Sequence, residues 1–249
     1  TLADTRTITV GGLGWSFGDL QLARFTQVGS TPQTVILPPL PLSVSALLIG
    51  PSSTFNGNVD FRAPRIRLNG ATYNGTAYIE KTGASADDSN GGNVFNQPLT
   101  LVNSGSGEFR HGVTALDTYN SYVLITNSGA SRVSMSRNAS GNIYNGNIEV
   151  NCPFGKGVYF GENNGTSTLA AGRTITIGAG GFSTGGLWLR YFTQAGGTAQ
   201  ALALTGDALL RIGPSSTFNG DVNFVAPQVL LQGCTYNGLT YIEKNGAGN

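Results

Sequence analysis

The chain has 249 residues and a formal net charge of +1, and only 11% of its residues are charged, against about 25% in an average soluble domain. The balanced charge and the lack of any run of Lys or Arg exclude the electrostatic footprint of a nucleic-acid-binding protein. No run of about 18 to 20 apolar residues occurs, so the sequence predicts no membrane insertion.

The first residues of the chain belong to a long repeat. Residues 1–10 return at 168–177, an offset of 167 residues, and residues 49–57 return at 212–220, an offset of 163 residues. The first copy carries a proline-rich bulge, Pro38 to Pro41, which accounts for the difference and which a loop between repeated strands tolerates.

This long repeat suggests how the chain is organised. We expect residues 1–167 to be a first unit of seven rungs and residues 168–249 to be a partial second unit of four rungs, in one continuous solenoid. The chain thus reads as a fragment of a longer repetitive protein.

A shorter motif, an aromatic residue followed by Asn, recurs within each unit. It occurs at Phe55-Asn56, Tyr73-Asn74, Phe95-Asn96, Tyr119-Asn120, Tyr144-Asn145, Phe218-Asn219 and Tyr236-Asn237. The third and fifth residues after each Asn are apolar, with the single exception of Thr240, and a mostly polar residue separates them. This period of two predicts a turn that leads into a half-buried β-strand, with Asn and the frequent following Gly in left-handed conformations.

Taken in chain order, the strands predict an all-β, right-handed parallel β-helix of about eleven rungs, with essentially no helix. The first strand of each rung is expected at 7–10, 34–37, 59–61, 77–80, 99–102, 123–125, 148–150, 174–177, 201–204, 222–224 and 240–243. Second strands are expected at 20–25, 46–49, 65–68, 108–111, 132–137, 157–160, 187–192, 208–212 and 228–231. The rung that contains residues 84–92 shows no clear second strand.

Four motifs carry a resemblance to a known family. They are Thr-Leu-Ala-Ala-Gly-Arg-Thr-Ile-Thr-Ile-Gly at 168–178, Gly-Pro-Ser-Ser-Thr-Phe-Asn-Gly at 213–220, Thr-Tyr-Asn-Gly at 72–75 and Glu-Lys-Thr-Gly at 80–83. Together they resemble the long repeats of giant secreted surface proteins of Bacteroidetes-type bacteria, which are similar in layout to filamentous-haemagglutinin-like adhesins. The resemblance covers essentially the whole chain and implies an extracellular, secreted or cell-surface location.

The repeated Asn residues are the main structural candidates. We expect their amides to form a hydrogen-bonded ladder between adjacent rungs, with the aromatic residues stacked as a spine beside them. The ladder consists of Asn56, Asn74, Asn96, Asn120, Asn145, Asn219 and Asn237. Bare sheet edges at both ends add neighbouring repeats of the same protein as expected partners, with end-to-end self-association in isolation.

Two weaker ligand sites are considered. Tyr78 and Tyr241 lie at outward positions of the first sheet, where an aromatic ring can stack on a sugar or simply pair across strands. Asp87 and Asp88 lie among Ser, Asn and Gly, a setting in which carboxylates can hold Ca²⁺, although a solvated loop is the alternative. No other cofactor is expected.

Catalysis is not expected. His111 is the only histidine, and nothing places Cys152 or Cys234, both expected to be free thiols, beside it. The 13 acidic and 14 basic residues are spread along the chain without a cluster. The sequence therefore predicts a non-enzymatic structural module, a rigid rod of an adhesin, stalk or filament. The alternative is a carbohydrate-binding surface on the same rod that binds surface glycans.

Overall fold

The computed structural model describes residues 1–8, 10, 18–38, 45–138 and 141–246. About half of the chain is β-strand, and the strands form parallel sheets. Among the described residues the single helical element is the one-turn 3-10 helix Glu162–Asn164. The prediction of an all-β chain with essentially no helix is confirmed.

The strands are of three types, A, B and C, which alternate along the chain. The A strands are Gln33–Ile36, Val59–Ala63, Ala77–Lys81, Leu99–Asn103, Val123–Asn127, Ile148–Cys152, Ile175–Phe182, Gln200–Ala203, Val222–Ala226 and Thr240–Lys244. The B strands are Leu20–Leu22, Ala46–Ile49, Arg65–Leu68, Asp87–Asp88, Phe109–Arg110, Arg132–Ser134, Gly157–Phe160, Gly186–Leu189, Leu209–Ile212 and Gln228–Leu231. The C strands are Ser53–Phe55, Ala71–Tyr73, Val94–Phe95, Thr118–Tyr119, Asn142–Tyr144, Ser167–Leu169, Phe192–Gln194, Ser216–Phe218 and Cys234–Tyr236.

Within each sheet, neighbouring strands are consecutive strands of the same type along the chain. The C strands form one nine-stranded sheet, whereas the A strands and the B strands each divide into a seven-stranded and a three-stranded sheet. The pairing of Val59–Ala63 with Ala77–Lys81 is typical, because Phe61 lies directly opposite Ile79. Equivalent positions of neighbouring strands therefore line up across each sheet.

The alternation of side chains along the A strands builds the core. In Leu99–Asn103, residues 99, 101 and 103 are buried and the two between them are half-buried, and the same pattern holds in Val123–Asn127. Buried apolar residues of the A, B and C strands belong to one core cluster, as Leu101, Val133 and Phe95 illustrate. Burial of this apolar surface, at about 25 cal/mol per Å², is the main favourable term in folding.

The predicted strand positions need correction at three places. The segment 84–92 does contain a B strand, Asp87–Asp88, and the strand predicted at 187–192 is divided into Gly186–Leu189 and Phe192–Gln194. Tyr191, between these two strands, has φ of 50°, which turns the chain into the next sheet. At 7–10, residue 9 lies outside the described residues and residues 7, 8 and 10 belong to no named strand. Residues 39–41 of the predicted bulge also lie outside the described residues.

The prediction of left-handed backbone conformations at the Asn-Gly pairs is wrong. None of the seven Asn residues, and none of the glycines that follow them, has a positive φ. A Cβ added at Gly75 would lie 2.4 Å from the carbonyl carbon of Gly57, which is backbone of the preceding turn. Glycine is required here because two stacked turns approach too closely for a side chain, not because of φ.

Candidate functional site

The Asn residues that follow the C strands are joined by amide-to-amide hydrogen bonds between their side chains. Each Nδ2 donates to the Oδ1 of the preceding Asn in the series Asn56, Asn74, Asn96, Asn120 and Asn145, at 2.7, 2.7, 2.8 and 2.8 Å. Asn237 donates to Asn219 in the same way at 2.7 Å. The seven residues thus lie in two separate runs.

The two runs begin alike, at residues that the sequence analysis did not single out. Asn56 donates to the backbone carbonyl of Gln27 at 2.7 Å, and Asn219 donates to that of Gln194 at 2.8 Å. Both Gln side chains are buried and donate to a carbonyl four residues ahead, that of Thr31 and of Thr198 respectively. The sequence signal for these two Gln residues is that Phe25-Thr26-Gln27 recurs as Phe192-Thr193-Gln194. A buried Gln starts each ladder in each unit.

The aromatic residues next to the Asn residues stack inside the core. Ring centroids are 5.4, 4.6, 5.4 and 4.7 Å apart along Phe55, Tyr73, Phe95, Tyr119 and Tyr144, with interplanar angles of 11° or less. Each of the five side chains is at most 1% exposed. The column continues beyond Leu169 and Gln194 with Phe218 stacked on Tyr236 at 5.7 Å.

The two tyrosines considered for sugar binding differ in their surroundings. The Tyr78 hydroxyl donates to Glu80 at 3.0 Å, and the guanidinium of Arg62 lies 4.6 Å from the ring centroid. Burial and Glu80 raise the pKa of Tyr78 to about 12. Tyr241 donates to Glu243 at 2.5 Å and is 55% exposed. The residue equivalent to Arg62 is Val225, which leaves the Tyr241 ring without that cation.

The two carboxylates considered for Ca²⁺ point to opposite faces of their strand. Asp87 is buried and binds Arg65 at 3.0 Å and the backbone N–H of Ile66 at 3.0 Å. Asp88 is exposed and binds Arg110 at 2.8 Å. Because adjacent strand residues alternate between faces, the structure does not bring these two carboxylates together around one position. No group of three potential metal ligands occurs among the described residues.

Arg and acidic side chains on and beside several B strands form one network of ion pairs. Arg132 contacts Glu108 and lies 2.6 Å from Glu162, while Arg110 contacts both Glu108 and Asp88. Arg110 and Glu108 are two positions apart, but the other three pairs are 22 to 30 positions apart along the chain, so the sequence showed no cluster. Opposite charges alternate in this network, which fits charge neutralisation across the sheet rather than a site for a charged ligand.

Three buried ionisable residues lie in the interior. Burial lowers the pKa of His111 to about 3, and burial raises the pKa of Asp117 to about 6, although hydrogen bonds from Asn93 and Tyr119 oppose that rise. Lys81 is 0% exposed and donates to the carbonyl of Gly83 at 2.5 Å. Burial lowers the pKa of Lys81, whereas the charge of Asp87 raises it. No nucleophile and base are brought together by these contacts.

Cys152 is buried, Cys234 is half-buried, and both are free thiols. No helix in the described part of the chain is long and apolar enough to cross a membrane. Comparison with protein-family models, curated proteins and solved structures finds no significant match to this chain.

Proposed function

We propose that the chain is a right-handed parallel β-helix of about eleven rungs, and that it serves as a non-enzymatic structural rod in an extracellular adhesin, stalk or filament. At about 4.8 Å per rung, such a rod is roughly 50 Å long. The continuous columns support the proposal best, because Phe55 to Tyr144 and Asn56 to Asn145 each stack over five successive turns.

The role proposed for the rod is mechanical. Backbone bonds between A strands run along the proposed axis, as do the Asn amide bonds and the aromatic contacts. Bending the rod stretches these bonds on one side, so stiffness grows from the same contacts that stabilise the fold. Each added rung then lengthens the rod by a fixed step and needs no new kind of contact.

Shape and location can be tested separately. Small-angle X-ray scattering should give an elongated particle, and inserting a further copy of residues 1–167 should lengthen it by about 34 Å, seven steps of about 4.8 Å. An isometric particle would contradict the rod.

Antibodies raised against the chain should label the outside of intact cells of the source organism, and label found only after permeabilisation would contradict the extracellular role.

A second candidate function is favoured by the outward face of the last three A strands. A shallow trough of about 430 Å³ lies there, lined by Ala201, Asn223, Thr240 and Tyr241 among others. Small side chains form its floor, an amide offers hydrogen bonds, and the exposed Tyr241 ring offers an apolar face, which is the combination that binds a sugar.

Binding to a glycan array tests this second function, with Tyr78 as the matched control. Tyr241→Ala should abolish binding, whereas Tyr78→Ala should leave it unchanged because Arg62 already covers that ring. Equal loss in both variants, or no binding across a broad panel by the unaltered chain, would contradict the carbohydrate site.

A further inference from the structure

One edge of the structure consists of strands whose equivalents in the first copy of the long repeat are covered by further strands. The strands Gln228–Leu231, Cys234–Tyr236 and Thr240–Lys244 each stand last in their sheet. Residues 228–246 repeat residues 65–83, and 11 of these 19 positions are identical. In the first copy the equivalent strands are covered by Asp87–Asp88, Val94–Phe95 and Leu99–Asn103.

Residues at this edge are more exposed than their equivalents in the first copy. Leu68 is 0% exposed, whereas its equivalent Leu231 is 46% exposed. Lys81 is 0% exposed, whereas its equivalent Lys244 is exposed. Apolar area of this kind at a sheet edge favours the addition of a further strand.

In the first copy, side chains of the covering segment bond the backbone of the B and C strands beneath it. Asp87 accepts from Ile66 N at 3.0 Å, Ser89 accepts from Leu68 N at 3.0 Å, and Asn93 accepts from Ala71 N at 3.1 Å. The equivalent N–H donors at the edge belong to Val229, Leu231 and Cys234.

Other side chains of the covering segment meet side chains beneath them. The Phe95 ring stacks on Tyr73 at 4.6 Å and 5°, Asn96 donates to Asn74 at 2.7 Å, and Ser104 donates to Glu80 at 2.6 Å. Tyr73, Asn74 and Glu80 recur unchanged at the edge as Tyr236, Asn237 and Glu243.

Charge complementarity adds a further requirement. Covering Lys81 buries its ammonium group completely, and Asp87 supplies a negative charge close enough to influence it. A cover for Lys244 without an acidic residue at the position of Asp87 would bury a cation without compensation, which is unfavourable.

We infer that this edge is a docking site for one further coil of the same repeat, with the side-chain pattern of residues 84–105. The pattern is Asp at position 87, Ser at 89, Asn at 93, an aromatic residue at 95, Asn at 96, Leu at 99 and 101, and Ser at 104. The inference rests on the proposed β-helix and deepens it by specifying the partner of this edge.

The test appends a second copy of residues 84–167 directly after Gly246 and follows amide hydrogen exchange. The amides of Val229, Leu231 and Cys234 should exchange at least about 100-fold more slowly than in the unextended chain. Their equivalents Ile66, Leu68 and Ala71 serve as internal controls that stay protected in both proteins. No slowing at the three edge amides would overturn the inference.

A matched control carries Asn93→Ala and Phe95→Asp in the appended copy only, and it should lose the slowing. Slowing that survives in this control would overturn the specified pattern. Slowing that grows with protein concentration in the unextended chain would show that a second molecule covers the edge instead. That result would also overturn the inference. Rapid exchange at Leu101 and Ile125 in every protein would count against the β-helix itself, so the two failures are distinguishable.

Discussion

Tyr73 and Phe95 stack with their ring centroids 4.6 Å apart and their planes within 5°, although 22 residues separate them along the chain. Their strands are register partners, with Phe95 directly opposite Tyr73. The contact therefore follows from the register of the C strands, because a slip of one residue in either strand would turn the ring of that strand away from the core.

The aromatic column should be a main source of stability. Phe95→Ala removes a fully buried ring between Tyr73 and Tyr119 and leaves a cavity, so we expect the free energy of unfolding to fall by about 3 to 5 kcal/mol. Urea denaturation followed by circular dichroism measures this. Phe154→Ala is the matched control, because Phe154 is 78% exposed; it should change stability by less than about 0.5 kcal/mol. Similar effects of the two changes would contradict the role of the column.

The Asn ladder should contribute in proportion to its bonds. Asn96 donates to Asn74 and accepts from Asn120, whereas Asn237 makes one such amide bond, to Asn219. Asn96→Ala should therefore lower the free energy of unfolding by about 1 to 2 kcal/mol, and Asn237→Ala by about half as much. Chemical denaturation of both variants makes the comparison. A larger effect at Asn237 would mean that these amides serve the turns locally and not the ladder.

The sequence predicted the A strands well because their alternation is long enough to show a period of two. The same pattern, continued to the seventh residue after each Asn, reaches Lys81, Asn103 and Asn127, which are buried. The predicted alternation ended at the fifth residue, so the polar side chains inside the core were not predicted. Asp87–Asp88 was missed for a different reason, since a strand of two residues has no period.

The column interactions could be predicted only in part. An aromatic residue and Asn at regular intervals indicate that like residues meet, but the break between Asn145 and Asn219 depends on Ala170 and Ala195. Their backbone N–H groups make the same hydrogen bonds as those of the ladder Asn residues, but an alanine has no side-chain amide to continue the ladder. The ion network was hidden because most of its members are brought together by the parallel pairing of B strands that are distant in sequence.

Asp117 should make the protein less stable as pH rises. Burial raises the pKa of this carboxyl group to about 6 from 3.8, so the folded state holds a proton that the unfolded state releases between these values. Stability from this group is complete below about pH 4 and is lost as pH rises through about 6, by up to about 3 kcal/mol. Asp117→Asn keeps the hydrogen-bond acceptor for Asn93 and removes the charge, so it should stabilise the protein at pH 8.

The measurement for Asp117 is the difference in unfolding free energy between Asp117→Asn and the unaltered chain from pH 4 to pH 8. The difference cancels the contributions of other groups, including Asp87, whose pKa burial also raises. It should favour the variant increasingly up to about pH 7 and then level off. A difference that does not vary with pH would show that Asp117 titrates alike in both states.

His111 should act in the opposite direction. Burial lowers the pKa of its imidazole from 6.5 to about 3. Between these pH values the imidazole is therefore protonated in the unfolded state and neutral in the folded state. Stability from this group is complete above about pH 7 and is lost as pH falls, by about 2 kcal/mol at pH 5. His111→Leu, of similar size, removes this loss. The unfolding free energy of variant and unaltered chain should therefore converge or cross on acidification from pH 8 to pH 5, in favour of the variant.

The two groups together make a sharper test than either alone. Between pH 4 and pH 6 acidification stabilises the chain through Asp117 and destabilises it through His111, so the unaltered protein should show a shallow dependence of stability on pH. Asp117→Asn should reveal a steep loss on acidification, and His111→Leu a gain. Parallel curves for all three proteins would contradict both assignments, because the interior would then discriminate against neither charged form.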